Sequence, residues 1–223
     1  MPAPGEARRD RLARARLYLV TGARQREGDL PGFLEAVLAA GADIVQLREK
    51  DAEARDLLRW SVEFRGAADR HGALFILNDR PDVALAAGAD GVHLGQDDLP
   101  PAWARGIVGP DLLIGLSTHA TGEYDASAPE ADYLCTGPIH ETPTKPGRPA
   151  TGLGLVRHAA ARERGGSEPR PWFAIGGVDP ATLPDVIEAG ASRIAIVRAV
   201  TDAQDPADAV RRLRAEMQGF PVS

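Results

Sequence analysis

Short apolar runs that break off into polar clusters recur along the whole chain, and stretches with helical spacing lie between them. The runs occupy 17–20, 44–47, 74–77, 91–94, 112–116, 133–136, 172–175 and 194–197, each the length of a buried strand. Residues 74–100 show the repeating unit whole. The run 74–77 stops at Asn78-Asp79, Pro81 suits the first turn of a helix, Val83, Leu85 and Ala86 supply its apolar face, and Gly88 ends it. A second run, 91–94, then stops at Gly95-Gln96-Asp97-Asp98. A helix between two strands makes those strands parallel. Further helical patterns cover 31–40, the region from Leu57 to His71, and 206–217. The phrase Ala-Gly-Ala followed by Asp or Ser precedes the strands at 44, 91 and 194, where glycine stops a helix before the next strand begins.

Eight evenly paced units in one chain predict an α/β fold, a single (β/α)8 TIM barrel over 1–223, with 1–16 as an N-terminal helical extension. An open doubly wound sheet fits less well, since no G-x-G-x-x-G follows the first run. The lone Cys135 excludes an intramolecular disulfide framework, and no apolar run nears the ~18 residues of a membrane span. Residues 1–16 lack the apolar core of a secretory signal, and Glu6 and Asp10 argue against a transit peptide. These features predict a cytoplasmic protein without membrane attachment. A net charge of -6 argues against nucleic-acid binding.

In a barrel all strand ends meet at one face, so the polar residues that follow each run gather in one pocket. They include Gln46, Arg48, Lys50, Asn78, Asp79, Arg80, Asp98, Ser117, Thr142, Thr144, Lys145, Arg148, Gly177 and Arg198. Strand alternation puts Gln46, Arg48 and Lys50 on one side and Glu49 on the other. Only two of the 26 basic residues are lysines, Lys50 and Lys145, and both fall in these loops, where a compact point charge suits a phosphate. Asp79 and Asp98 follow neighbouring parallel strands ~4.8 Å apart, within reach of one hard cation. Turn and cap roles account for either aspartate taken alone. Together the set is what a Mg²⁺-bound polyphosphate ester requires.

QLREK at 46–50, NDR at 78–80, HLGQDD at 93–98, STH at 117–119, GPIHETPTK at 137–145 and AIGGV at 174–178 resemble the thiamine-phosphate synthase family in order, spacing and position. The resemblance implies an enzyme that joins a pyrimidine diphosphate to a thiazole phosphate, or its carboxylate form, releasing pyrophosphate. It implies small-molecule substrates and a Mg²⁺ cofactor, and it leaves room for a homo-oligomer. Carried over by position, it implies that Arg48, Lys50, Asn78 and Lys145 hold the diphosphate, with Gln46 and Ser117 near the pyrimidine. It makes Asp79 and Asp98 the Mg²⁺ carboxylates, Asp98 rather than Asp97 because the family motif places its ligand at the second position. Thr142, Thr144, Gly177, Val197 and Arg198 resemble its thiazole-phosphate site, and Arg48, Lys50, Ser117 and Lys145 its catalytic set.

Two departures stand out: Arg198 where many members have Ser, and His140-Glu141 before Thr142 in place of an apolar pair. E-T-x-x-K-x-G also resembles the related thiazole tautomerase, which lacks the metal carboxylates. A non-catalytic phosphate-ligand binding protein is the reading from another class. Cys135 and His93, both inside apolar runs, read as core and structural residues, while His119 and His140 fall beside the site.

Overall fold

The computed structural model describes residues 3–142, 149–166 and 170–217. Helix α1 (Pro4–Arg14) leads into β1 (Leu17–Thr21), α2 (Leu30–Ala39), β2 (Ile44–Leu47), α3 (Ala54–His71), β3 (Leu74–Asn78), α4 (Pro81–Ala86) and β4 (Gly91–Leu94). Then follow α5 (Pro101–Val108), β5 (Leu113–Thr118), α6 (Thr121–Asp125), β6 (Tyr133–Thr136), α7 (Gly152–Gly165), β7 (Trp172–Ile175), α8 (Leu183–Glu188), β8 (Ile194–Ile196), α9 (Arg198–Thr201) and α10 (Pro206–Met217). The eight strands pair in parallel, each with the next, and β8 closes on β1: this is a (β/α)8 barrel.

Strand alternation sorts side chains into two layers. Leu17, Leu19, Val45, Leu47, Phe75, Leu77, Ile114 and Leu116 point outward and pack under the helices. Tyr18, Val20, Ile44, Leu74, Ile76, Leu113, Tyr133, Cys135, Phe173 and Ala195 fill the barrel, and Leu12 and Ala15 from the α1 end join this inner cluster. The N-terminal helix thus covers the base of the barrel. A Cβ at Gly115 would stand 2.1 Å from Tyr133 Cζ, so glycine in this strand makes room for the Tyr133 ring.

Acids at the base tie strands to helices. Asp43, Asp90 and Asp132 each accept a backbone N–H at the start of a preceding strand or beside it, from Leu17, Phe75 and Ile114 respectively, and each also takes an arginine. Asp90 takes three, from Arg8, Arg11 and Arg65, at 3.0, 3.0 and 2.7 Å. Burial pushes its carboxyl up, but the Arg65 and Phe75 hydrogen bonds and the charges of Arg65 and Arg11 outweigh that and hold it below the usual range. Asp90→Asn therefore costs about 3 kcal/mol at neutral pH, or roughly 10 °C in Tm. Because the folded pKa is depressed, the Asp90 contribution is complete above the unfolded value near ~4 and fades as pH falls through the folded one. Urea denaturation of both proteins at neutral and acidic pH measures this. A gap that stays constant, or widens in acid, contradicts the assignment.

The elements differ from the sequence reading where polar residues are at home in strands. The fifth strand runs through Ser117 and Thr118, which pair with Cys135 and Thr136: Ser117 is an inward position that faces the site, and Thr118, of opposite parity, is buried with its hydroxyl bonded to that of Thr136. The eighth is shorter than its apolar run, since Val197 leaves it to cap α9.

Candidate active site

Two adjoining cavities, of about 320 and 280 Å³, lie at the C-terminal ends of the strands and share Ser117, His119, Cys135, Ile175 and Val197 as walls. The larger is further lined by Val20, Gln46, Arg48, Lys50, Asn78, Asp79, His93, Gly95, Gln96, Asp97 and Asp98. The smaller is lined by Thr142, Gly176, Gly177, Val178, Asp179, Arg198 and neighbours. Strand parity explains much of the larger set: Val20, Gln46, Asn78, His93, Ser117, Cys135 and Ile175 are inward positions on successive strands. Arg48 and Lys50 continue the Gln46 parity past the end of β2. Glu49, of opposite parity, turns away and accepts the Ala23 N–H at 2.7 Å, tying the first two loops together.

Parity alone would keep Asp79 out. It reaches the cavity because its backbone adopts φ 62, a left-handed conformation that aspartate tolerates better than most residues. Its N–H still bonds the His93 carbonyl at 2.8 Å, so the strand ladder holds it in place. Asp98 lies four residues beyond β4, and its carboxylate accepts the Gly95 N–H at 2.6 Å, which folds the loop back. Asp79 is pushed up to about 6, first by burial and then by the hydrogen bond and charge of Asp98, against the pull of Lys50 and Arg48. Lys50 Nζ stands 3.9 Å from Asp79.

Two crowded carboxyls beside a lysine suit a divalent cation. Among the described residues there is no cluster of three or more protein ligands. An ion here would draw its remaining oxygens from water or a phosphate, which is the habit of Mg²⁺ rather than of a structural metal. The donor set fits that ion.

Below the carboxylates the floor is buried and hydrogen-bonded. Gln46, 2% exposed, donates its amide to Tyr18 Oη at 2.5 Å, and Tyr18 meets Tyr133 hydroxyl to hydroxyl at 3.0 Å. Burial above all holds both phenols well above their ordinary pKa, so they remain neutral. Ser117 Oγ bonds His93 Nε2 at 2.9 Å, and Gln96 donates to the Ser117 carbonyl at 2.6 Å. His119 is held by Glu123, which accepts its backbone N–H at 2.7 Å and lies 3.1 Å from its ring Nδ1.

In the smaller cavity Gly176 and Gly177 have φ 101 and 67, and a Cβ on them would meet Pro138 at 2.5 Å and His140 at 2.6 Å. Only glycine permits this close turn. Thr182 secures it, donating to the Gly177 carbonyl and accepting the Asp179 N–H.

Gln46, Arg48, Lys50, Asn78, Asp79, Asp98, Ser117, Thr142, Gly177, Val197 and Arg198 therefore all line one of the two cavities. Thr144, Lys145 and Arg148 fall outside the described residues. Arg80 turns outward to Asp82, with two bonds of 2.9 and 2.7 Å. His93 and Cys135 are buried, yet they also form cavity wall; their shared parity with Ser117 was the available signal.

The family model described as thiamine monophosphate synthase matches residues 17–200. A thiamine-phosphate synthase of Acidothermus cellulolyticus is 55% identical over 208 residues, 92% of this chain and 96% of its own. One of Streptomyces avermitilis is 57% identical over 200 residues, 89% of this chain and 91% of its own. Among solved structures, a thiamine phosphate pyrophosphorylase from Pyrococcus furiosus superposes with a TM-score of 0.81 at 31% identity, covering 95% of this chain and 98% of that one.

Proposed function

The chain belongs to the thiamine monophosphate synthase family, and from that premise we propose that the two cavities hold the two halves of thiamine phosphate. The larger takes the aminopyrimidine with its diphosphate, the smaller the thiazole phosphate. The observation that carries this reading is their shared wall, which puts two anion-suited subsites next to each other.

In the reaction, the bond from the pyrimidine methylene carbon to the diphosphate oxygen breaks, with the electron pair leaving on pyrophosphate. The thiazole nitrogen lone pair forms the new C–N bond, and its positive charge remains on the thiazolium. Asp79 and Asp98 would hold Mg²⁺, which when bound neutralises charge on the diphosphate. Arg48 and Lys50 grip the diphosphate from the second strand end and Asn78 from the third. Gln46 and Ser117 hold the pyrimidine ring over the buried floor, where the Tyr18 and His93 contacts restrict their rotation. Lys145 and Thr144 complete the two subsites by position in the sequence. Gly177, Val197, Thr142 and Arg198 surround the thiazole phosphate, in the loops after strands seven and eight where this fold commonly binds phosphate. No protein nucleophile enters. Positioning and charge stabilisation carry the rate.

Binding needs only small molecules. We place the enzyme in the cytoplasm with copies associating as homo-oligomers; among the described residues no helix is long and apolar enough to cross a membrane. Calorimetric titration with inorganic pyrophosphate tests the metal assignment. Binding requires Mg²⁺ and is lost in Asp79→Asn; equal binding with EDTA present would remove the ion from the site.

A further inference from the structure

Two tyrosines lie beneath the larger cavity and line neither cavity. Tyr18 on β1 and Tyr133 on β6 are fully buried, and Phe173 on β7 packs edge-on against both, with ring centroids 5.4 and 5.9 Å away and planes at 84° and 83°. Gly115 completes the packing, since a Cβ there would stand 2.4 Å from Tyr133 Oη. Rings held this way fix where their hydroxyls lie. Those hydroxyls meet at 3.0 Å, and Gln46 Nε2 reaches Tyr18 Oη at 2.5 Å. The reaction uses neither phenol, and burial keeps both neutral.

Proton accounting gives the pair a task. A phenol carries one proton. Tyr18 Oη accepts the Gln46 N–H, so its own proton goes to Tyr133 Oη. Gln46 thus turns its nitrogen down to the floor. Its carbonyl oxygen has no protein partner among the described residues and is not shut off from solvent, so it faces the larger cavity that Gln46 lines. An amide carbonyl accepts hydrogen bonds and donates none. The exocyclic amino group of an aminopyrimidine donates, and matches it. An oxo group in the same place sets two acceptors against each other and leaves the Gln46 oxygen unpaired. We infer that Tyr18 and Tyr133 are positioning residues that hold the Gln46 carbonyl toward the cavity, and that they thereby make it select an amino over an oxo pyrimidine diphosphate. The inference rests on the assignment of the larger cavity to the pyrimidine. Tyr133 acts at one further remove, with a distinctive effect. Without its oxygen the Tyr18 proton turns to the Gln46 amide, which then swings over and presents N–H to the cavity. Loss of the Tyr18 hydroxyl only frees the amide.

Calorimetric titration in the presence of Mg²⁺ tests it, with the aminopyrimidine diphosphate, its oxo counterpart and inorganic pyrophosphate as ligands. The wild type should bind the amino compound about ten- to a hundred-fold more tightly than the oxo compound, the span of one mispaired buried group. Tyr18→Phe should narrow that ratio to about three-fold or less, and Tyr133→Phe should bring it to about one or below. Each substitution removes one oxygen and keeps the ring, so circular dichroism and pyrophosphate affinity should match the wild type. If Tyr133→Phe does not fold, the ratio in Tyr18→Phe decides. A wild type that binds both diphosphates equally overturns the inference, and so does a ratio that survives either substitution. A variant that weakens pyrophosphate and both diphosphates alike overturns it too, since the tyrosine is then only structural. A wild type that binds neither diphosphate is a separate result, which removes the pyrimidine from the larger cavity and this selection with it.

Discussion

Asp98→Ala should lower turnover by at least about a hundred-fold and leave the fold intact, because its carboxylate stands at the barrel mouth and, in the proposed role, holds the ion that takes up charge as pyrophosphate departs. Two functions must be separated at this residue. Asp98 accepts the Gly95 N–H at 2.6 Å, so the alanine variant also frees the loop after β4. Asp98→Asn keeps an oxygen for that bond and removes the charge. The account predicts that asparagine is nearly as damaging as alanine, since two carboxylates are needed to hold the ion against the diphosphate. Near-normal turnover in Asp98→Asn would make the loop, and not the charge, the essential part. Asp97 lines the same cavity, and Asp97→Ala should be mild. If Asp97→Ala proves the worse change, the ligand is one residue earlier.

Arg198→Ala raises the KM for thiazole phosphate about ten- to a hundred-fold and leaves that for the pyrimidine diphosphate nearly unchanged. Arg198 is the first residue of α9, and it lines the smaller cavity beside Gly176 and Gly177. The glycine turn can approach a phosphate closely, and a guanidinium can grip the same anion through two parallel hydrogen bonds. Loss of such a charge-assisted bond costs ~1.5–3 kcal/mol, which sets the size of the effect. Arg198→Ser should recover part of it, since a hydroxyl at the start of α9 can still donate. Steady-state kinetics with each substrate varied in turn gives the answer. An equal rise for both substrates, or for neither, would place Arg198 outside the thiazole-phosphate subsite.

How much of this was legible in the sequence depends on how local each cause is. The eight strands could be read because each is an apolar run that ends at the mouth, and the parity of Gln46, Arg48 and Lys50 follows from that alone. The approach of Asp79 to Asp98 was also legible, but not its cause. Proximity of parallel strands suggested it, whereas the structure brings it about through the left-handed backbone of Asp79 and the Gly95 tether of Asp98. The role of Leu12 and Ala15 in covering the barrel base could not be read, since it depends on where α1 docks. Nor could the chain from Gln46 to Tyr18 to Tyr133, whose members lie 28 and 115 residues apart and show no common motif. His93 looked structural because it sits inside an apolar strand; closing the barrel turns that inward position into cavity wall beside Ser117. The Arg80-Asp82 pairing shows the opposite case, a basic residue at a strand end that local geometry turns away from the site.

The central claim is that this chain joins the two phosphorylated halves itself. Incubating the purified protein with aminopyrimidine diphosphate, thiazole phosphate and Mg²⁺, with thiamine phosphate and pyrophosphate quantified together, tests it most directly. The account predicts equal amounts of both products, formed only when both halves and the metal are present. Absence of thiamine phosphate from folded protein that binds both substrates would contradict it.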